Sequence, residues 1–322
     1  MTGPLMERFG WAPSLERVLC PLDVQQPTLS ALKLASSIAE RFGASLEALY
    51  VGSEVTSPTA SASGKALDNA GRTSELLSAL EAEQKLQDIV RALACPIAPT
   101  PHFMLGSPVS AILERASSPA FDLIVLGARQ RSDLGWQFRN DVARQVAALA
   151  TCATLTVHER DTPETIERIL LPVDFSLVTT QALHWAAAFA AKFGGEVQLL
   201  HVVSREQSTV RSLDRERNVV RSSNVPSDVN GKLIELEQTL KRYGARASSQ
   251  AVIASDVANG IADYNDRGEF DLLVTGMSGP PQSAARLTRG VLSTLRNRMS
   301  VPILSVRGAT LDSPRSASGT GG

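Results

Sequence analysis

The sequence predicts an α/β fold in tandem: two domains, each a doubly wound parallel sheet of five strands with crossover helices. Three observations carry that expectation. First, the chain repeats itself at long range. Arg17–Val24 reads RVLCPLDV and Arg168–Phe175 reads RILLPVDF, with four identities in eight. Phe121–Ala128, FDLIVLGA, returns at Phe270–Met277 as FDLLVTGM, with five identities in eight. The offsets of 151 and 149 residues agree, so the chain is a duplication of one unit. Second, each unit alternates short β-branched apolar runs with longer segments of helical period, the pattern of a parallel sheet with crossovers. Third, 322 residues is about twice a common domain length, enough for two cores.

Taken in order, the first unit places strands near 17–23, 45–51, 98–105, 121–127 and 153–158, and the second near 168–174, 196–203, 246–254, 270–276 and 302–306. Between the first two strands of the second unit, Leu177–Phe193 is Ala-rich with Leu183, Ala186, Ala187 and Ala190 on one helical face, and Gly194 and Gly195 stop it. After the second strand each unit carries a loop of low hydrophobicity. Residues 52–73 are small and polar, whereas 204–226 intersperses Arg205, Arg211, Arg215, Arg217 and Arg221 with acids. That second loop reads either as a solvated segment or as a basic flap over an anionic ligand. The expected division is domain 1 over 1–160, domain 2 over 161–308 and a tail of disordered composition over 309–322, with a linker near 159–167.

Composition narrows the function classes. With 32 basic against 33 acidic residues the net charge is −1, so no global field draws the protein to nucleic acid or anionic lipid. Glu7 and Arg8 precede any apolar run and no stretch of about 20 apolar residues follows, which makes a cytoplasmic, non-membrane protein the expectation. Cys20, Cys95 and Cys152 are widely spaced, odd in number and outside C-x-x-C, so they read as small buried hydrophobes and not as a disulfide or zinc framework.

The segments PVDFS at 172–176, LHVVS at 200–204, FDLLVTG at 270–276 followed by Gly279, and VPILSV at 301–306 together resemble the universal stress protein family, once per half. The resemblance implies a Rossmann-like fold, akin to that of the adenine nucleotide alpha hydrolases, and a stress-response protein that binds and signals without turning over a substrate. It also implies that ATP is the ligand of those members with glycine, two residues, glycine, nine residues, then glycine with serine or threonine. Glycines after a strand let backbone N–H groups approach phosphates, and the next helix N-terminus adds partial positive charge.

On that resemblance the second half places Asp174 and the backbone of Val202 at the adenosine end, and Gly276, Gly279, Arg289, Gly290 and Val291 at the phosphates, with no residue assigned to an accompanying Mg²⁺. Arg289-Gly290 stands where Gly-Ser or Gly-Thr is expected, and Arg286 and Arg289 are placed to neutralise a phosphate. A glycine turn with Asp174 capping a loop is the bland alternative. The first half keeps Asp23, Val51 and Gly127, but Gln130 replaces the second glycine and Asn140-Asp141 the final pair. A carboxylate there repels phosphates, and Asp141 reads as the N-cap of a helix over 142–150.

Enzymatic readings are weak. Neither G-x-x-x-x-G-K-[ST] nor a G-x-G-x-x-G after the first strand is present. His102, His158, His184 and His201 all precede Ser278, the reverse of hydrolase order, and show no metal-ligand spacing. Three functions stay open: an adenine nucleotide sensor, a ligand-free interaction scaffold and a slow ATPase lacking an identifiable base. For assembly, the resemblance implies that single-domain relatives pair their final strands. Strands near 153–158 and 302–306 are therefore expected to pair within the chain as a pseudo-two-fold dimer, with further association of chains through other surfaces.

Overall fold

The computed structural model describes residues 13, 15–52, 69–118, 120–128, 141–158, 163, 165–204, 225–277 and 290–307. The first half runs β1 (Arg17–Pro21), α1 (Leu29–Phe42), β2 (Ser45–Gly52), α2 (Asn69–Ala92), β3 (Thr100–Leu105), α3 (Pro108–Ser117), β4 (Leu123–Ala128), α4 (Asp141–Leu149) and β5 (Ala153–His158). The second repeats the order as β6 (Arg168–Pro172), α5 (Leu177–Phe193), β7 (Glu196–Ser204), α6 (Ser227–Arg242), β8 (Arg246–Ala254), α7 (Val257–Gly268), β9 (Leu272–Met277), α8 (Val291–Arg298) and β10 (Ile303–Arg307). The α/β duplication is as the sequence predicts. Asp141, expected to cap the helix after it, is instead the first residue of α4, and the basic and polar loops at 205–224 and 53–68 lie outside the described residues.

Both halves are wound alike, and they share one sheet. The strand order is β3-β2-β1-β4-β5-β10-β9-β6-β7-β8, parallel within each half. Among the described strands the one antiparallel pair is β5 with β10, where Ile303 faces Thr156, Leu304 faces Leu155 and Ser305 faces Thr154. Two five-stranded sheets are thus continuous across this seam. The duplication offset of 151 carries Thr154 onto Ser305, so the pseudo-two-fold axis passes between these two facing residues.

The conserved-looking repeats FDL and R-[VI]-L turn out to be partners in space. Asp122 Oδ2 accepts the backbone N–H groups of Glu16 at 2.8 Å and Arg17 at 3.1 Å, while Arg17 lies over the Phe121 ring at 4.6 Å. In the second half Asp271 Oδ2 accepts from Glu167 and Arg168, both at 2.8 Å, and Arg168 covers Phe270 at 5.1 Å. This anchor explains why β4 and β9 begin two residues later than expected: Phe and Asp pin the start of the neighbouring strand before the ladder begins.

Packing differs between the two faces. On the α1/α5 face one apolar core runs unbroken through both halves, including Ile38, Leu155, Phe189 and Leu304. At its centre Phe42 meets Phe189 with ring centroids 5.3 Å apart, and two reciprocal contacts flank them, Arg41 over Phe193 and Lys192 over Phe42. The offset of 151 interconverts those two contacts, as an isologous interface requires. On the opposite face the core is divided into one cluster under α3 and α4 and another under α7 and α8.

Candidate functional site

In each half the chain reverses its winding direction at β1 or β6, the place where open α/β sheets leave a crevice at the carboxyl ends of the strands. In the second half β6 pairs with β9 only at Ile169 and Leu170, so the strand ends beyond them separate. The gap opens into a cavity of about 610 Å³, bounded by the end of β6, the middle of β7, the end of β9 and the N-terminus of α8. Its size is that of a small-molecule site.

Asp174 sits at one wall, where the chain leaves β6. Its Oδ1 accepts the backbone N–H of Ser176 at 3.0 Å and the hydroxyl of Thr179 at 2.8 Å. Burial pushes the carboxyl up, but these hydrogen bonds outweigh it and hold the group below its ordinary value. Asp174 is therefore ionised at neutral pH. Between Asp174 and Ser176 the turn forces Phe175 into the left-handed region at φ 59, unusual for an aromatic residue. Phe175 is held there by the His201 ring at 4.7 Å and by Lys232 at 5.5 Å. His201 Nδ1 lies 2.8 Å from the carbonyl oxygen of Val173. A carbonyl only accepts, so Nδ1 carries the hydrogen.

Five of the seven residues that the sequence assigns to this site line the one cavity: Asp174, Val202, Gly276, Gly290 and Val291. Gly279 and Arg289 lie outside the described residues. Gly276 also meets a packing constraint. A Cβ there would stand 2.6 Å from Val178 Cγ1, because the first turn of α5 packs directly on β9. Gly127 in the first half repeats this against Thr28, at 2.5 Å from its Cβ. Val202, whose side chain belongs to the core under α7, presses on Gly260. Gly290 is the N-cap of α8 and Val291 its first residue, which brings the helix N-terminus to the cavity wall.

Sequence reasoning missed Ser176, Thr179 and His201, all of which line the cavity. The signal for the first two was present: Asp-x-Ser is an Asx-turn pattern, and the first half repeats it as Asp23 Oδ1 accepting from Gln25 N–H at 2.9 Å. Nothing in the sequence distinguishes His201, whose role depends on the fold bringing β7 beside the Val173 carbonyl. Among the described residues no three His, Cys, Asp or Glu side chains converge as a metal site. Of the cysteines only Cys20 is buried; Cys95 and Cys152 are half-buried, a correction to the expectation for all three. Desolvation pushes the Cys152 thiol up to about 12 and raises the other two as well.

The profile of the universal stress protein family matches residues 14–158 and again 165–307. The chain belongs to the universal stress protein family. This tandem universal stress protein is similar in fold to a universal stress protein from Archaeoglobus fulgidus, with 16% identity, a TM-score of 0.61, and 92% of this chain and 98% of that chain covered. A functionally unknown protein from Pseudomonas aeruginosa shares the fold at 15% identity and a TM-score of 0.55, over 92% of this chain and 93% of that chain. No curated protein matches the sequence significantly. Among the described residues of this universal stress protein, no helix is long and apolar enough to cross a membrane.

Proposed function

We propose that this tandem universal stress protein is a stress-response binding protein whose second half takes an adenine nucleotide, ATP foremost, and whose first half takes none. The observation that carries the reading is the convergence of Asp174, Val202 and the N-terminus of α8 on one cavity of about 610 Å³. An ionised carboxylate, already fixed by Ser176 and Thr179, is an acceptor for the paired hydroxyls of a ribose. Apolar walls from Val202, Val257 and Ile261 suit a base, and the helix N-terminus at Gly290 suits a phosphate. Binding, and not turnover, is the function: the carboxylate in the cavity is committed to hydrogen bonds, with its proton affinity lowered, opposite to the tuning of a general base.

A second reading, a ligand-free scaffold, is favoured by one observation: Gly276 is fully explained by its contact with Val178, with no need of a phosphate. Calorimetry with ATP and with adenosine on the whole protein and on Gly290→Asp separates the two. Aspartate is a good N-cap, so the variant should fold, yet its carboxylate would repel phosphate. Expected are one site per chain and a loss of about tenfold or more for ATP in the variant, with adenosine nearly unaffected. Two equivalent sites, or no heat with either ligand, would remove the proposal.

A further inference from the structure

On the face of the sheet where the core is divided, the side chains at the seam are polar. Leu155 and Val157 point into the continuous core, so Thr154 and Thr156 point the other way, as does Ser305 opposite Thr154. Thr154 is 1% exposed, Ser305 2% and Thr156 4%, and neither threonine hydroxyl has a hydrogen-bond partner among the described residues. From α8, Arg296 reaches this polar seam. One terminal nitrogen reaches Ser305 Oγ at a long 3.4 Å, and Nε is closed off from solvent with no acceptor among the described residues. Among the described residues no carboxylate pairs with it, and the charge that acts on it is another cation, Arg144 of α4. Desolvation and then Arg144 lower its pKa to about 10, which still leaves it charged at neutral pH.

A buried guanidinium without a counter-charge is destabilising, and among the described residues the side chains named around this one, Thr154, Ser305 and Arg144, can all donate a hydrogen bond. We propose that the seam is a binding site for a small monatomic anion, chloride, held between Arg296 and the hydroxyls of Thr154 and Ser305. Facing residues of an antiparallel pair have Cβ atoms about 5 Å apart, a separation that a single ion can bridge between the two hydroxyls. The duplication offset gives Arg296 the uncharged counterpart Gln145. Of these two symmetry-related positions only Arg296 carries a charge, and a monovalent ion matches that single charge. A water molecule supplies no charge to balance the guanidinium. Chloride here would tie α8 and β10 of one half to β5 of the other.

The test measures thermal unfolding of the whole protein against chloride, with ionic strength held constant by gluconate, for the parent chain, Arg296→Gln and Thr154→Val. The parent midpoint should rise by roughly 2 °C for each tenfold increase in chloride above its dissociation constant. Both variants should lose that dependence. Arg296→Gln copies the residue at its own symmetry mate, and Thr154→Val keeps the arginine and the shape of the seam, so either one suffices if the other fails to fold. Crystals grown in bromide should show an anomalous peak between Thr154 and Ser305. A parent midpoint indifferent to chloride, an equal chloride dependence in the variants, or bromide-soaked crystals with no peak at the seam would each overturn the proposal.

Discussion

Asp174 is the residue on which the candidate site turns, and its physics makes a statement about pH. Its carboxyl is held below the ordinary value by Ser176 and Thr179 in spite of desolvation. A depressed carboxyl stabilises the fold above the unfolded value of about 3.9, and the contribution is lost as pH falls through the lower, folded value. Asp174→Asn should therefore cost roughly 1 kcal/mol at neutral pH, a modest figure because the group is partly open to solvent and screened. In urea unfolding the gap between parent and variant should close as pH is lowered through 4 toward 2. A gap that is constant across that range would mean that the hydrogen bonds to Ser176 and Thr179 do not depend on the charge. At this same scale Gly276 was legible as a special glycine, but its close contact with α5 was not. A glycine after a strand looks the same in sequence whether a phosphate or a neighbouring helix comes close, and here the helix does.

Among the elements, the paired anchors Asp122 and Asp271 join each half's first and fourth strands at their entry points. Removing either carboxylate leaves two strand N–H groups without their acceptor. Asp122→Ala and Asp271→Ala should each lower stability by about 1–2 kcal/mol, and because the two anchors belong to different halves the double variant should show nearly the sum. A double variant no less stable than either single one would show that the anchors are redundant with the ladder. The same anchors mark how far sequence reading reached. Strand and helix order was legible because hydrophobic period and the 151-residue repeat act locally, and Gly194, at φ 74, stops α5 as its position after Phe193 suggests. Strand starts at Leu123 and Leu272 were misplaced because side-chain acceptance by an aspartate and a Phe–Arg contact are long-range facts that no local period records. The cavity was legible in part for the same reason: Asp174 and Gly290 sit in recognisable turns, whereas His201 acquires its place only when β7 lies beside the end of β6.

For the whole molecule, what matters is that the two halves are not beads on a string. The core on the α1/α5 face is shared, with Phe42, Phe189 and Phe193 from different halves in contact and the cations Arg41 and Lys192 laid over them reciprocally. Cation–π pairs of this kind contribute about 0.5–1 kcal/mol each where exposed, so the greater share of the cohesion is apolar burial and the β5–β10 ladder. That ladder also removes the two strand edges most prone to aggregation, since Thr154–Thr156 and Ile303–Ser305 satisfy each other. The register makes the arrangement testable by covalent capture. Leu155 and Leu304 face each other across the seam, and facing positions in an antiparallel pair bring Cβ atoms within range of a disulfide. With Cys20, Cys95 and Cys152 replaced by alanine, Leu155→Cys/Leu304→Cys should oxidise to an intrachain bond that shifts mobility on a non-reducing gel without doubling the mass. The bond closes a loop of well over 100 residues, so the oxidised protein should unfold several degrees higher than the reduced one. The pair Leu155→Cys/Ser305→Cys, one residue out of register with its side chains on opposite faces, should oxidise poorly under the same conditions. If the in-register pair links only chain to chain, or if both pairs oxidise equally well, the intrachain seam and its register are wrong.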